Sequence, residues 1–145
     1  MRITLHIGIE KTGTSSIQRA LHANRRRLAA EGVLYPGLDA PNGRELAVAA
    51  MDDTRTDPLK TDELARARCS HVEYRRRLTD RLRSAVASGD YDRVVLSSEH
   101  CHSRLSADDA VQRFVVTFEG DAANAVAATC DNAVGDAHAG GGGVT

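Results

Sequence analysis

The chain has no tryptophan, and aromatic residues make up 3% of its 145 positions. A core of stacked rings is excluded, so leucine, valine, isoleucine and alanine must fill the interior. Cysteine is scarce too: Cys69, Cys101 and Cys130 are odd in number, far apart, and form no Cys-x-x-Cys pair. That excludes a disulfide framework and a paired-cysteine zinc site, and points to a reducing compartment, the cytoplasm. No apolar run approaches the ~20 residues of a transmembrane helix. The first run, residues 3–9, is also too short for a secretory signal, because Glu10 and Lys11 follow at once. A net charge of −1 gives no general attraction for nucleic acid or an acidic membrane.

What is present is an alternation of strand and helix patterns. Residues 3–9 are short, β-branched and apolar, and read as a buried strand. Thr14 or Ser15 can cap the helix that follows, whose apolar positions include Ile17, Ala20, Leu21 and Leu28. Gly32 is placed to end it. Residues 33–37 give an extended piece and a turn, and residues 42–51 a short helix. Residues 52–60 read as a polar loop. A long helix is predicted over 62–88, with Leu78, Leu82 and Val86 on one stripe. Residues 93–97 form a second strand, followed by a polar loop, and Ser106 caps a further helix. Residues 115–118 read as one more strand.

This order predicts an α/β fold, a parallel sheet flanked by helices. In such sheets ligands bind at the carboxyl ends of the strands. The predicted domain covers residues 1–118. Beyond it, residues 119–145 form an Ala/Gly-rich, low-complexity tail, read as disordered. From Phe114 onward the chain contains no Lys, Arg, Leu, Ile or Pro. A second reading of that change is a shifted reading frame, which makes the fold incomplete.

The loop after the first strand carries the chemistry. It reads Lys11, Thr12, Gly13, Thr14, Ser15, Ser16 and opens a helix. Free backbone N–H groups and the helix dipole give partial positive charge there. Glycine lets an oxyanion approach the backbone, lysine adds a full charge, and four hydroxyls add donors. The stretch is a cup for phosphate or sulfate. It is not a Walker A loop, in which the lysine follows the last glycine; here Lys11 precedes Gly13. The plainer reading is a helix cap beside a surface lysine.

Residues 5–21, with that loop at their centre, resemble the 5′-phosphosulfate loop of P-loop sulfotransferases, most strongly bacterial members whose chain begins with this strand. The likeness extends through residues 23–37 to residues 93–100. It implies a P-loop-type parallel sheet and a co-substrate, 3′-phosphoadenosine 5′-phosphosulfate (PAPS). The implied reaction moves the sulfuryl group to an acceptor hydroxyl or amine on a carbohydrate, lipid or small molecule. By resemblance, Lys11 contacts the bridging oxygen and the 5′-phosphate, and Thr12, Gly13, Thr14, Ser15 and Ser16 hold that phosphate. Family members usually need no metal for the transfer. They also use an Arg and a Ser, after a later strand, to clamp the 3′-phosphate. That region corresponds to residues beyond about 115, where this chain has no arginine. The resemblance therefore implies a truncated or defective member.

For the base, Glu99 and His100 stand after the second strand, where the family often carries a His or Glu. Their plainer reading is a pair of loop residues facing water. Glu45 is a weaker candidate, otherwise an exposed helix carboxylate. Glu99 to His102 could hold a metal only adventitiously. The clusters Arg25–Arg27 and Arg75–Arg77 read as solvated helix faces, or as contacts for an anionic acceptor. Two other functions remain: a nucleotide phosphotransferase with an atypical phosphate loop and Glu99 on Mg²⁺, or a non-catalytic phosphate-binding module.

Overall fold

The computed structural model describes residues 1–8 and 13–105. Lys11, Thr12, the helix expected from Ser106, the strand expected over 115–118 and the tail over 119–145 lie outside the described residues.

Three parallel strands make the sheet: β1 (Arg2–Ile7), β2 (Val33–Leu34) and β3 (Arg93–Ser98), in the order β1-β3-β2. The chain is a small α/β domain, with helices flanking this sheet. Strands β1 and β3 pair in register over their whole length, from Arg2 opposite Arg93 to Ile7 opposite Ser98. Their carboxyl ends are therefore level and adjacent. Alternation along β1 and β3 puts Ile3, Leu5, Ile7, Val94, Leu96 and Ser98 on one face. Thr4, His6, Val95 and Ser97 share the other, where His6 Nδ1 lies 2.9 Å from Ser97 Oγ.

Six helices complete the described fold: α1 (Thr14–Ala23), α2 (Arg25–Ala30), α3 (Arg44–Ala50), α4 (Pro58–Ala67), α5 (His71–Ala87) and α6 (His100–Arg104). Helix α3 is the hub. Its sequence, Arg-Glu-Leu-Ala-Val-Ala-Ala, is apolar on nearly every side, so it can only sit inside. Every residue from Glu45 to Ala50 is buried. It packs against α4, α5, α6 and β3. Leu46, Val48, Leu78, Leu82, Val94 and Leu96 form the centre of one core. Full burial of each large aliphatic side chain contributes about 1.5–3 kcal/mol.

Two helices expected to be continuous are broken. The stretch over 62–88 is split: α4 begins earlier, at Pro58, and α5 starts after Ser70. Asp57 caps α4, its side chain accepting from the Leu59 N–H at 2.9 Å, with Pro58 in the first turn. Ser70 Oγ accepts from the Glu73 N–H at 3.2 Å. Between them Arg68 takes φ 50°, the left-handed conformation that ends a helix. The helix after β1 is broken at Asn24, whose amide donates back to the Ala20 carbonyl at 2.8 Å. Gly32 does follow α2 as a terminator, at φ 76°. The polar loop expected after β3 is instead the short helix α6.

Candidate functional site

The site is built at the carboxyl ends of β1 and β3. Beyond β1 the chain comes back to Gly13, which precedes α1 at φ 85°. A side chain there would meet nothing within 4 Å, so the glycine serves the backbone conformation alone. Its carbonyl accepts from the Ser16 N–H at 2.9 Å, starting α1. Thr14 is buried, and its Cβ stands 2.8 Å from where a Cβ on Gly8 would be. Gly8 is therefore the residue that lets α1 close onto the end of β1. Gly13, Ser15 and Ser16 are exposed. Among the described residues, no side-chain hydrogen bond caps α1.

Across from α1 stands the loop 39–42. It is pinned by α3 and α5. The Asp39 N–H donates to Glu45 Oε2 at 2.9 Å. Arg81 donates to Glu45 Oε1 at 2.7 Å and to Asp39 Oδ2 at 3.0 Å. Glu45 is 5% exposed, so it is not the surface carboxylate that the sequence suggested as its plainer role. Burial pushes its carboxyl above the ordinary range, against the pull of Arg81. The Arg81 hydrogen bond holds Asp39 below its ordinary value. Both oxygens of Glu45 are committed to shaping the loop.

Between α1 and this loop lies a cleft of about 540 Å³. Ser15, Gln18 and Arg19 line it from α1, residues 39–42 and Arg44 from the loop and the start of α3, and Glu99 lines it as well. The volume falls within the ~300–1,000 Å³ of small-molecule sites. The structure thus brings Ser15 of the loop sequence and Glu99 together. The nearest ion partner described for Glu99 is His100 Nε2, at 3.9 Å.

His100 is not part of the cleft wall. Its Nε2 lies 3.0 Å from Asn42 Nδ2, and Arg104 donates to its Nδ1 at 3.1 Å. A guanidinium can only donate, so Nδ1 is engaged as an acceptor. Of the two base candidates, Glu99 lines the cleft and His100 is tied into the scaffold. Cys101, next along α6, is buried, and burial pushes its thiol up to about 11. It stays protonated and inert as a nucleophile.

Sequence reasoning did not single out Gln18, Arg19, Asp39, Asn42 or Arg44. Gln18 is 2% exposed and its Nε2 is buried with no hydrogen-bond partner. The only advance signal was the turn-forming Pro41-Asn42-Gly43 between helix patterns. Among the described residues, no group of three or more His, Cys, Asp or Glu is placed to hold a metal ion. No helix among them is long and apolar enough to cross a membrane. In the cluster Arg75–Arg77 of α5, Arg75 reaches Asp53 at 2.8 Å, and Arg76 and Arg77 each reach Glu73 at 2.8 Å. Compared with family models, curated proteins and solved structures, the chain gives no match.

Proposed function

We propose that this chain is a P-loop-type sulfotransferase domain that moves a sulfuryl group from PAPS to an acceptor hydroxyl or amine. The observation that carries the proposal is the sequence order strand, Lys11, Gly13, hydroxyl cluster, helix, together with a cleft that both Ser15 and Glu99 line. Lys11 and the N–H groups opening α1 neutralise the 5′-phosphate, whose charge rises as the bridging bond breaks. Thr12, Thr14, Ser15 and Ser16 supply hydroxyl donors to the same group.

The acceptor oxygen or nitrogen attacks sulfur and forms the new bond to it. The bridging oxygen leaves with the bond's electron pair as part of adenosine 3′,5′-bisphosphate. Glu99 takes the acceptor's proton. A positioned base of this kind is worth roughly 10²–10⁴-fold in rate.

The test uses the full chain, sulfur-labelled PAPS and a panel of hydroxyl and amine acceptors. Label is expected in an acceptor, with Glu99→Gln slowed by about 10²–10⁴-fold and Lys11→Ala inactive. Magnesium-dependent ATP turnover in place of label transfer would favour a phosphotransferase. Nucleotide binding with no transfer to any acceptor would favour a non-catalytic phosphate-binding module.

A further inference from the structure

Resting on that reading, we propose that the acceptor is a linear acidic polysaccharide, a chain of uronate sugars, and that its carboxylates lie along one stripe of α1 and α2 made by Arg19, His22, Arg25 and Arg26.

The stripe follows from spacing. Ser15, Arg19, His22 and Arg26 stand at i, i+4, i+7 and i+11, the repeat that returns to one helix face. The face carries on across the break at Asn24, because helical hydrogen bonds span it. The Asn24 N–H donates to the Ala20 carbonyl at 3.0 Å, and the Leu28 N–H to the Asn24 carbonyl at 2.9 Å. The helical rise makes the stripe about 16 Å long. Ser15 and Arg19 line the cleft, so the stripe begins there and leads out along the helix. Arg19, His22, Arg25 and Arg26 are all exposed.

The stripe is also of one sign. Residues 14–31 hold four arginines and a single acid, Glu31, in a chain whose net charge is −1. Glu31 is taken by Arg27, which stands off this face, at 3.2 Å. Among the described residues no carboxylate pairs with Arg19 or Arg26; the Arg19 Nε donates to the Ser15 carbonyl at 3.2 Å. Arg25 stands beside the face and donates to His22 Nε2 at 2.8 Å, which holds its guanidinium against the stripe. Planar guanidinium groups match carboxylates in shape as well as charge.

A single row of cations fits a chain with a single row of anions. A membrane surface would need basic and apolar side chains at one plane. Ile17, 48% exposed, stands two residues from Ser15 and so on the opposite side of α1. Single-stranded nucleic acid is held by rings on which its bases stack, and residues 14–31 contain no Phe, Tyr or Trp. A uronate chain needs neither, and it carries the hydroxyl groups that the proposed transfer requires.

The experiment titrates the full chain, without nucleotide, into fluorescent oligogalacturonate and follows its anisotropy. Saturable binding that weakens as salt is added is expected. Arg19→Gln and Arg26→Gln should each weaken it about two- to fivefold, and the double variant about tenfold, with the melting temperature unchanged. Arg27→Gln, which removes the same charge off the stripe, should leave the affinity as it is. No binding of oligogalacturonate, equal binding of a neutral malto-oligosaccharide of the same length, or equal weakening by Arg27→Gln would overturn the proposal. Tighter binding of phosphatidylserine vesicles or of single-stranded oligothymidylate would overturn it in favour of a membrane or a nucleic acid. A parallel titration with adenosine 3′,5′-bisphosphate separates the two claims, and Arg26→Gln should leave that affinity unchanged. Nucleotide binding without uronate binding sinks this inference alone. Uronate binding without nucleotide binding sinks the sulfuryl-transfer reading and leaves the stripe standing as a polysaccharide site.

Discussion

Gly43 lies directly against Ser97: a Cβ placed on this glycine would fall onto the Ser97 carbonyl, with its carbon at 2.9 Å. Gly43 is also held at φ 64°. One residue thus starts α3 and seats it on the end of β3, where the cleft is built.

This contact separates two glycines that the sequence cannot tell apart. Gly13 has the same left-handed sign, at φ 85°, but open space around it. Gly13→Ala should cost only backbone strain, about 1–2 kcal/mol. Gly43→Ala adds a clash with strand backbone, for a total of about 2–5 kcal/mol. Urea denaturation of both variants checks this; equal costs would contradict the close approach at Ser97.

Arg81 neutralises Glu45, whose side chain is 6% exposed, and does so from a position that is itself 38% exposed. Arg81→Met should therefore destabilise the fold at neutral pH by about 1–3 kcal/mol, at the lower end because the arginine is partly screened by solvent. The pH dependence has a definite sign. Glu45 holds its proton more tightly folded than unfolded, since burial raises its folded pKa above the ordinary 4.5. Such a carboxyl lowers stability as pH rises through the folded pKa, and the loss is relieved as pH falls. Without Arg81 the upward shift grows, so the deficit of the variant should shrink between neutral pH and about the ordinary 4.5. Asp39 works in the opposite sense, but its contribution is lost only below its ordinary 3.8. A deficit that stays constant across this range would contradict the burial of Glu45.

Glu73 sits in the first turn of α5 and takes hydrogen bonds from Arg76 and Arg77, which bring its carboxyl down to about 2. Carbon-13 titration of the side-chain carboxyl should find that value, and Arg76→Ala should move it back toward 4.5. Because the folded pKa is lowered, the group's stabilising contribution is present above 4.5 and lost as pH falls toward 2. An ordinary titration would show that the three side chains do not meet in solution.

Much of this arrangement was legible in the chain itself. The β-branched runs over 3–9 and 93–97 marked two strands, which the structure bounds at Arg2–Ile7 and Arg93–Ser98. Gly32 marked the end of α2, and residues 42–51 marked a short helix, though not that it is buried. The break between α4 and α5 was missed because apolar spacing carries across it. The signals were present as Asp57-Pro58 and as Ser70 three residues before Glu73, both local capping chemistry. The second wall of the cleft was not legible in principle. Glu45 and Arg81 are 36 residues apart, and Asn42 and His100 are 58 apart, so only the tertiary fold pairs them. Gln18 looked like an ordinary polar helix residue, because burial without a partner leaves no mark in sequence.

The central claim is that the turn between β1 and α1 receives the phosphate end of a nucleotide. Isothermal titration of adenosine 3′,5′-bisphosphate into the full chain, and into Lys11→Ala, tests it most directly. Saturable binding to the wild-type chain, weakened by about 10–100-fold in the variant as a charge-assisted phosphate contact requires, is the predicted result. No heat of binding, or the same affinity in both proteins, would contradict it.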